Sequence, residues 1–140
     1  MKYLLLISAL VLGACSSIPE TNTMELIALS EEKAPDGVIG TFQFQIKASD
    51  IKGGVVYLNT EMDYRDRRNI TVVIHPKVIG AFTKQFGSSP NLFFINKTIK
   101  VTGEAKRVKI DFISNGKKSH KYYFQTHLLI KSLKQIKVLS

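Results

Sequence analysis

The chain of 140 residues has one cysteine, Cys15. No internal disulfide can form, so the fold must rest on packing even in an oxidising compartment. It has no apolar run of membrane-spanning length beyond the N-terminus. Met1 to Leu12 is apolar after Lys2 but too short for a typical spanning helix. Acidic residues are scarce in the last third: Lys97 to Ser140 carries 11 basic and 2 acidic side chains, against 8 and 9 from Cys15 to Asn96. There is no internal repeat, no low-complexity segment and no nucleophile-elbow signature, which removes solenoids, disordered tails and the commonest serine hydrolases. No motif asks for a cofactor.

The N-terminal pattern, one positive charge followed by an apolar run, reads as a signal peptide. Leu12-Gly-Ala-Cys15 follows at once and resembles the lipobox of bacterial lipoproteins. That resemblance implies cleavage before Cys15, lipidation of its thiol and a stable anchor, because several acyl chains exceed the single-chain limit of weak attachment. Ser16 after the cysteine, rather than Asp, resembles the sorting pattern for the outer membrane, which implies an envelope protein facing the periplasm. The expected organisation is a signal peptide over 1–14, a lipidated tether over 15–37 and a β domain over 38–140. The 126 residues left after cleavage suit a single core. Within the tether, Met24 to Leu29 is an apolar patch able to pack as a short extra element.

From Val38 the hydropathy has period two. Val38, Gly40, Phe42, Phe44 and Ile46 alternate with polar or exposed positions, which predicts a first strand with its Phe face inward. Ala48 to Gly54 reads as a turn. A second strand buries Val56 and Leu58 and turns Tyr57 and Asn59 outward, and a third spans Ile70 to Ile74. The two are joined by a charged loop from Glu61 to Asn69. Pro76 opens a helix with Val78, Ile79, Phe82 and Phe86 on one face, and Gly87 closes it. Ile99, Val101, Gly103 and Ala105 then alternate in one phase, and Val108, Ile110 and Phe112 in the other, which predicts a bulge between Ala105 and Val108. Asn115-Gly116 signals a tight hairpin. The last long strand, from Lys121 to about Ile130, puts Tyr122, Phe124, Leu128 and Ile130 on one face and Tyr123, Gln125 and His127 on the other, and Gln135 to Leu139 adds a short closing strand.

Three strands, a helix and two strands is the element order of an OB-fold. Val56-Tyr-Leu-Asn59, Asp63-Tyr-Arg65, Val101 to Arg107 and Tyr122 to His127 resemble small bacterial OB-fold envelope domains, distantly similar to nucleic-acid-binding and thermonuclease-type barrels. The resemblance implies a mainly β, five-stranded OB-like barrel with one short helix between strands 3 and 4. It also implies a ligand surface on the outward face of strands 2 and 3 and the loops beside it. On this chain that surface holds Tyr57, Asn59, Thr71 and Val73, with His75 beside them and Lys52, Lys117, Lys118, His120 and Lys121 on the loops.

Tyr123 and His127 on the last long strand, and Arg65, Arg67 and Arg68 in the charged loop, complete the candidate ligand-binding set. Aromatic rings stack flat groups and cations neutralise phosphates, while guanidinium groups bind oxyanions two-pronged. Candidate partners are the membrane through Cys15, and single-stranded nucleic acid, an acidic polysaccharide or an acidic protein surface. A metal site is disfavoured, because His120 and His127 are seven apart on one strand and face opposite ways. The pattern points to a non-catalytic, lipid-anchored binding module. The alternatives are a structural lipoprotein without a small ligand and a thermonuclease-like phosphodiesterase using Asp63, Asp66, Arg65 and Arg68. Lysine-rich strands that only protect sheet edges, and arginines paired within their own loop, are the plain structural readings of the same residues.

Overall fold

The computed structural model describes residues 18–140; the segment expected to be a signal peptide, and Cys15, lie outside them. No helix among the described residues is long and apolar enough to cross a membrane. The elements are α1 (Thr23–Lys33), β1 (Val38–Gln45), β2 (Ala48–Lys52), β3 (Val55–Asn59), β4 (Ile70–Ile74), α2 (Pro76–Phe86), α3 (Pro90–Phe93), β5 (Thr98–Ser114), β6 (Lys117–Ile130) and β7 (Ile136–Val138).

The strands form one seven-stranded sheet in the order β1-β5-β6-β4-β3-β2, with β7 paired to β5. β4 and β6 run parallel and the other pairs antiparallel. This mainly β arrangement corrects the expected five-stranded barrel: the ladder is open, and β1 and β2 lie at its two ends without pairing to each other. The cause is a change of partner within what the alternation makes one strand. Ile46 donates to Lys97 O at 2.9 Å and accepts from Asn96 N at 2.8 Å, whereas Lys47, one residue later, donates to Asn59 O at 2.9 Å. The chain thus crosses from one end of the sheet to the other through a covalent bend. The segment expected as a turn, Ala48 to Gly54, is therefore mostly strand β2, and the turn is only Gly53-Gly54, with φ of 58° and 78° that glycine adopts without a steric cost.

The apolar patch expected within the tether packs as part of helix α1. Asn22 caps α1 by accepting from Glu25 N at 3.2 Å. One turn apart, Leu26 and Ser30 face the sheet and are buried. The Ser30 hydroxyl lies 2.8 Å from Leu26 O and 3.2 Å from Ala105 O, so a polar group is buried without loss of hydrogen bonding. Ahead of the helix, Thr21 N donates to Gln43 O at 3.0 Å and the Thr21 hydroxyl accepts from Gln43 N at 2.9 Å, covering the outer edge of β1.

Inside the curled sheet, Phe42, Phe44, Ile46, Val56, Leu58, Val72, Ile99, Val101, Leu128 and Ile130 form the core with Val78 and Phe82 of α2. Phe82 and Phe86 stack at 4.5 Å, and Phe93 and Phe94 complete an aromatic cluster at that end. α2 begins at Pro76 and ends at Gly87, φ 72°, as its sequence predicts. The expected bulge between Ala105 and Val108 is absent. β5 pairs with β6 without interruption from Ala105↔Leu128 to Asp111↔Tyr122, and the irregularity falls between Asp111 and Ile113. The phase change has another cause: past Ala105 the β5–β6 hairpin runs beyond the core, and Val108, Ile110 and Phe112 lie on its other face. The turn at Asn115 and Gly116, both with positive φ, closes a hairpin whose second strand starts at Lys117, four residues earlier than expected.

If α1 is part of the fold, Leu26→Ala removes a buried side chain and lowers unfolding free energy by about 2–5 kcal/mol. A urea melt checks this, and an unchanged midpoint would mean that the helix does not contribute to the fold.

Candidate functional site

The outer face of the sheet is set by the register. Tyr57 pairs with Val73, Asn59 with Thr71, and Thr71 with His127, so these side chains share the face opposite Val56, Leu58 and Val72. Along β6, Tyr123, Gln125 and His127 follow on the same face with period two. The extension of the hairpin adds Ile110 and Phe112. These outer-face residues, Val73 excepted, line a groove of about 480 Å³ together with Asp50 and Lys52 of β2 and Tyr64.

The floor of the groove is a fixed hydrogen-bond pattern. Asn59 Oδ1 accepts from Thr71 Oγ1 at 2.8 Å and from Asn69 Nδ2 at 3.1 Å. On β6, Gln125 Nε2 donates to the Tyr123 hydroxyl oxygen at 2.8 Å, and Gln125 Oε1 lies 2.7 Å from His127 Nε2. With Gln125 Oε1 as acceptor, His127 Nε2 carries the proton, and the Tyr123 hydroxyl keeps its own hydrogen to donate. Burial lowers the His127 pKa to about 4 and raises that of Tyr123, so both are neutral at ordinary pH. The floor therefore offers neutral donors and acceptors beside aromatic rings. Among the described residues no group of three His, Cys, Asp or Glu side chains could hold a metal ion.

A second hollow, of about 220 Å³, adjoins the groove through Tyr64, Tyr123 and Gln125, which line both. Its other walls are Ile27 and Glu31 of α1, Arg65 and Arg67 of the β3–β4 loop, and Arg107 and Phe124 of the hairpin. The loop is built from two Asx turns: Asp63 Oδ1 accepts from Arg65 N and Asp66 Oδ1 from Arg68 N, each at 2.9 Å. Asp66 also holds the Arg68 guanidinium through both oxygens, at 3.1 and 2.9 Å, and the Arg68 hydrogen bonds bring its pKa down to about 2. Arg68 is thus committed to Asp66, and Arg65 has a looser contact with Asp63 at 3.4 Å. Arg67 and Arg107 form no ion pair among the described residues.

The structure therefore divides the residues picked from sequence. Tyr57, Asn59, Tyr123 and His127 meet in the groove, Arg65 and Arg67 line the hollow, and Arg68 belongs to the loop's own ion pairs. Lys117, Lys118 and Lys121 sit at the hairpin tip and line neither, and Lys118 is 3.6 Å from Asp111. His75 is not a groove residue: its Nδ1 accepts from Lys77 N at 3.1 Å and caps α2. Cys15 lies outside the described residues. Sequence reasoning missed Arg107, Phe112, Phe124, Ile110 and Tyr64. Arg107 lies over the Phe124 ring at 4.2 Å and Lys109 over Tyr122 at 4.5 Å, contacts foreshadowed only by basic and aromatic residues alternating in two sequence segments.

No protein-family model and no curated protein matches the chain. Among solved structures it is similar to an aspartyl-tRNA synthetase from Entamoeba histolytica, at 17% identity over 90% of this chain with a TM-score of 0.49. It is also similar to a chain assigned as an aspartyl-tRNA synthetase from Leishmania major Friedlin, at 12% identity over 92% of this chain with a TM-score of 0.44. The chain spans 22% of the length of each.

The low pKa of His127 sets a pH dependence. Between about pH 4 and 6.5 the unfolded chain binds a proton on His127 that the folded chain excludes, so stability falls as pH drops through that window and is flat in this term above it. Wild type should lose about 1–3 kcal/mol more than His127→Gln between pH 7 and 4, as read by urea melts. Equal losses would contradict a buried neutral ring.

Proposed function

We propose that the protein is a lipid-anchored module of the bacterial envelope that binds an extended anionic polymer across the outer face of β3, β4 and β6, without catalysing its cleavage. The observation that carries this reading is the groove itself. Tyr57, Tyr123 and Phe112 line it with rings, Gln125 and His127 bring part-buried hydrogen-bonding groups over a buried floor of Asn59 and Thr71, and the arginines of the adjoining hollow supply positive charge. Stacking contributes about 1–3 kcal/mol per flat group, and cations along the path make binding salt-dependent. The anchor on Cys15 and the outer-membrane location rest on the lipobox and Ser16 alone. The nuclease alternative gains no support, because Asp63 and Asp66 are each turned to an arginine of their own loop.

A protein partner is the second reading. It is favoured by the apolar residues on the projecting hairpin, with Phe112 46%, Ile113 72% and Phe124 44% exposed.

Fluorescence anisotropy of a labelled single-stranded oligonucleotide, titrated with the full chain in detergent at several salt concentrations, separates the two. Affinity should fall steeply with salt, and Tyr57→Ala/Tyr123→Ala should weaken it by about tenfold or more. No binding at low salt would remove the nucleic-acid reading and favour the protein partner.

A further inference from the structure

The hollow between α1, the β3–β4 loop and the hairpin is distinct from the groove in chemistry. Its lining cations are Arg65, Arg67 and Arg107, and its lining carboxylates are Glu31 and Asp66. Asp66 is already paired with Arg68 through two hydrogen bonds, and Arg65 lies 3.4 Å from Asp63, which leaves Arg67 and Arg107 against Glu31. These two arginines have no ion pair among the described residues. Arg107 is also held against a ring. Its guanidinium carbon lies over the Phe124 ring, 4.2 Å from the centre, and its N–H groups make no hydrogen bond or ion pair among the described residues. An unpaired guanidinium suits a tetrahedral oxyanion, which it can meet with two parallel hydrogen bonds. The rings of Tyr64 and Tyr123 stand where the hollow opens into the groove.

We propose that this hollow is a phosphate site, in which Arg67 and Arg107 hold one phosphate monoester while the flat group attached to it lies against Tyr64 and Tyr123 at the entrance to the groove. The inference rests on the polymer reading only for what continues beyond that unit. The hollow fixes the charged unit and the groove receives the next flat one, which gives the bound chain a direction.

Isothermal titration of the full chain in detergent with adenosine 5′-monophosphate, with adenosine and with inorganic phosphate tests this. The monophosphate should bind saturably, and adenosine about tenfold or more weaker, since the charged hydrogen bonds are lost. Inorganic phosphate should compete with the monophosphate. Arg67→Gln/Arg107→Gln should weaken the monophosphate by about tenfold or more with its melting temperature kept, because both side chains are exposed. Tyr57→Ala, which changes the groove alone, should leave it unchanged. Adenosine binding as tightly as its monophosphate, or a double variant indistinguishable from wild type, would overturn the site. Monophosphate binding without oligonucleotide binding supports the hollow and defeats the nucleic-acid form of the polymer reading. Binding of a 5′-phosphorylated oligonucleotide that depends on Tyr57 but ignores Arg67 and Arg107 keeps the groove and defeats the hollow.

Discussion

Residues Thr126 to Ile130 of β6 are hydrogen-bonded on both sides, to β4 in parallel and to β5 in antiparallel register up to Leu128. Much of the molecule depends on that five-residue stretch. Its even positions send Leu128 and Ile130 into the core, and its odd position His127 goes to the outer face. A slip of one residue would exchange them, burying the imidazole among Phe44, Leu58 and Ile99 and exposing two aliphatic side chains. Because β5 and β6 both outrun the core, the same register carries Tyr123, Gln125 and Ile110 into the groove and Phe124 and Arg107 into the hollow. One pairing thus sets the core and both candidate surfaces.

The charge distribution reads differently on this frame. The basic last third of the sequence is not one patch. Lys109 lies over Tyr122, Lys118 lies close to Asp111, and Arg107 belongs to the hollow with two arginines some forty residues away in sequence. Exposed lysines at the hairpin tip contribute a field but no shaped site, since a flexible ammonium in water fixes little. The shaped sites are where strands bring rings and planar polar groups together.

Local alternation made much of this legible. The inward faces of β1, β3 and β4, the Pro76 and Gly87 ends of α2, the Asn115-Gly116 turn and the two faces of β6 follow from period and turn chemistry. Three features did not, each for a physical reason. α1 buries only Leu26 and Ser30, a stripe too narrow and too polar to stand out beside Asn22, Glu31 and Glu32. The break between β1 and β2 leaves the alternation intact because only the hydrogen-bond partner changes, from Lys97 to Asn59. Val108, Ile110 and Phe112 look like core residues in a shifted phase, and nothing local tells that the core has ended at Ala105. The candidate site was half legible on the same terms: Tyr57, Asn59, Tyr123 and His127 announce an outer face, but the meeting of Arg65 and Arg67 with Arg107 is a product of topology.

The central claim is that the outer face of β3, β4 and β6, rather than the lysine-rich hairpin tip, receives the ligand. Backbone amide shifts of the isotope-labelled full chain in detergent micelles, followed during titration with a short single-stranded oligonucleotide, test it directly. The account predicts saturating shifts at Tyr57, Asn59, Thr71, Tyr123 and Gln125, continuing to Arg67 and Arg107. Shifts confined to Lys117 to Lys121, or none at low salt, would contradict it.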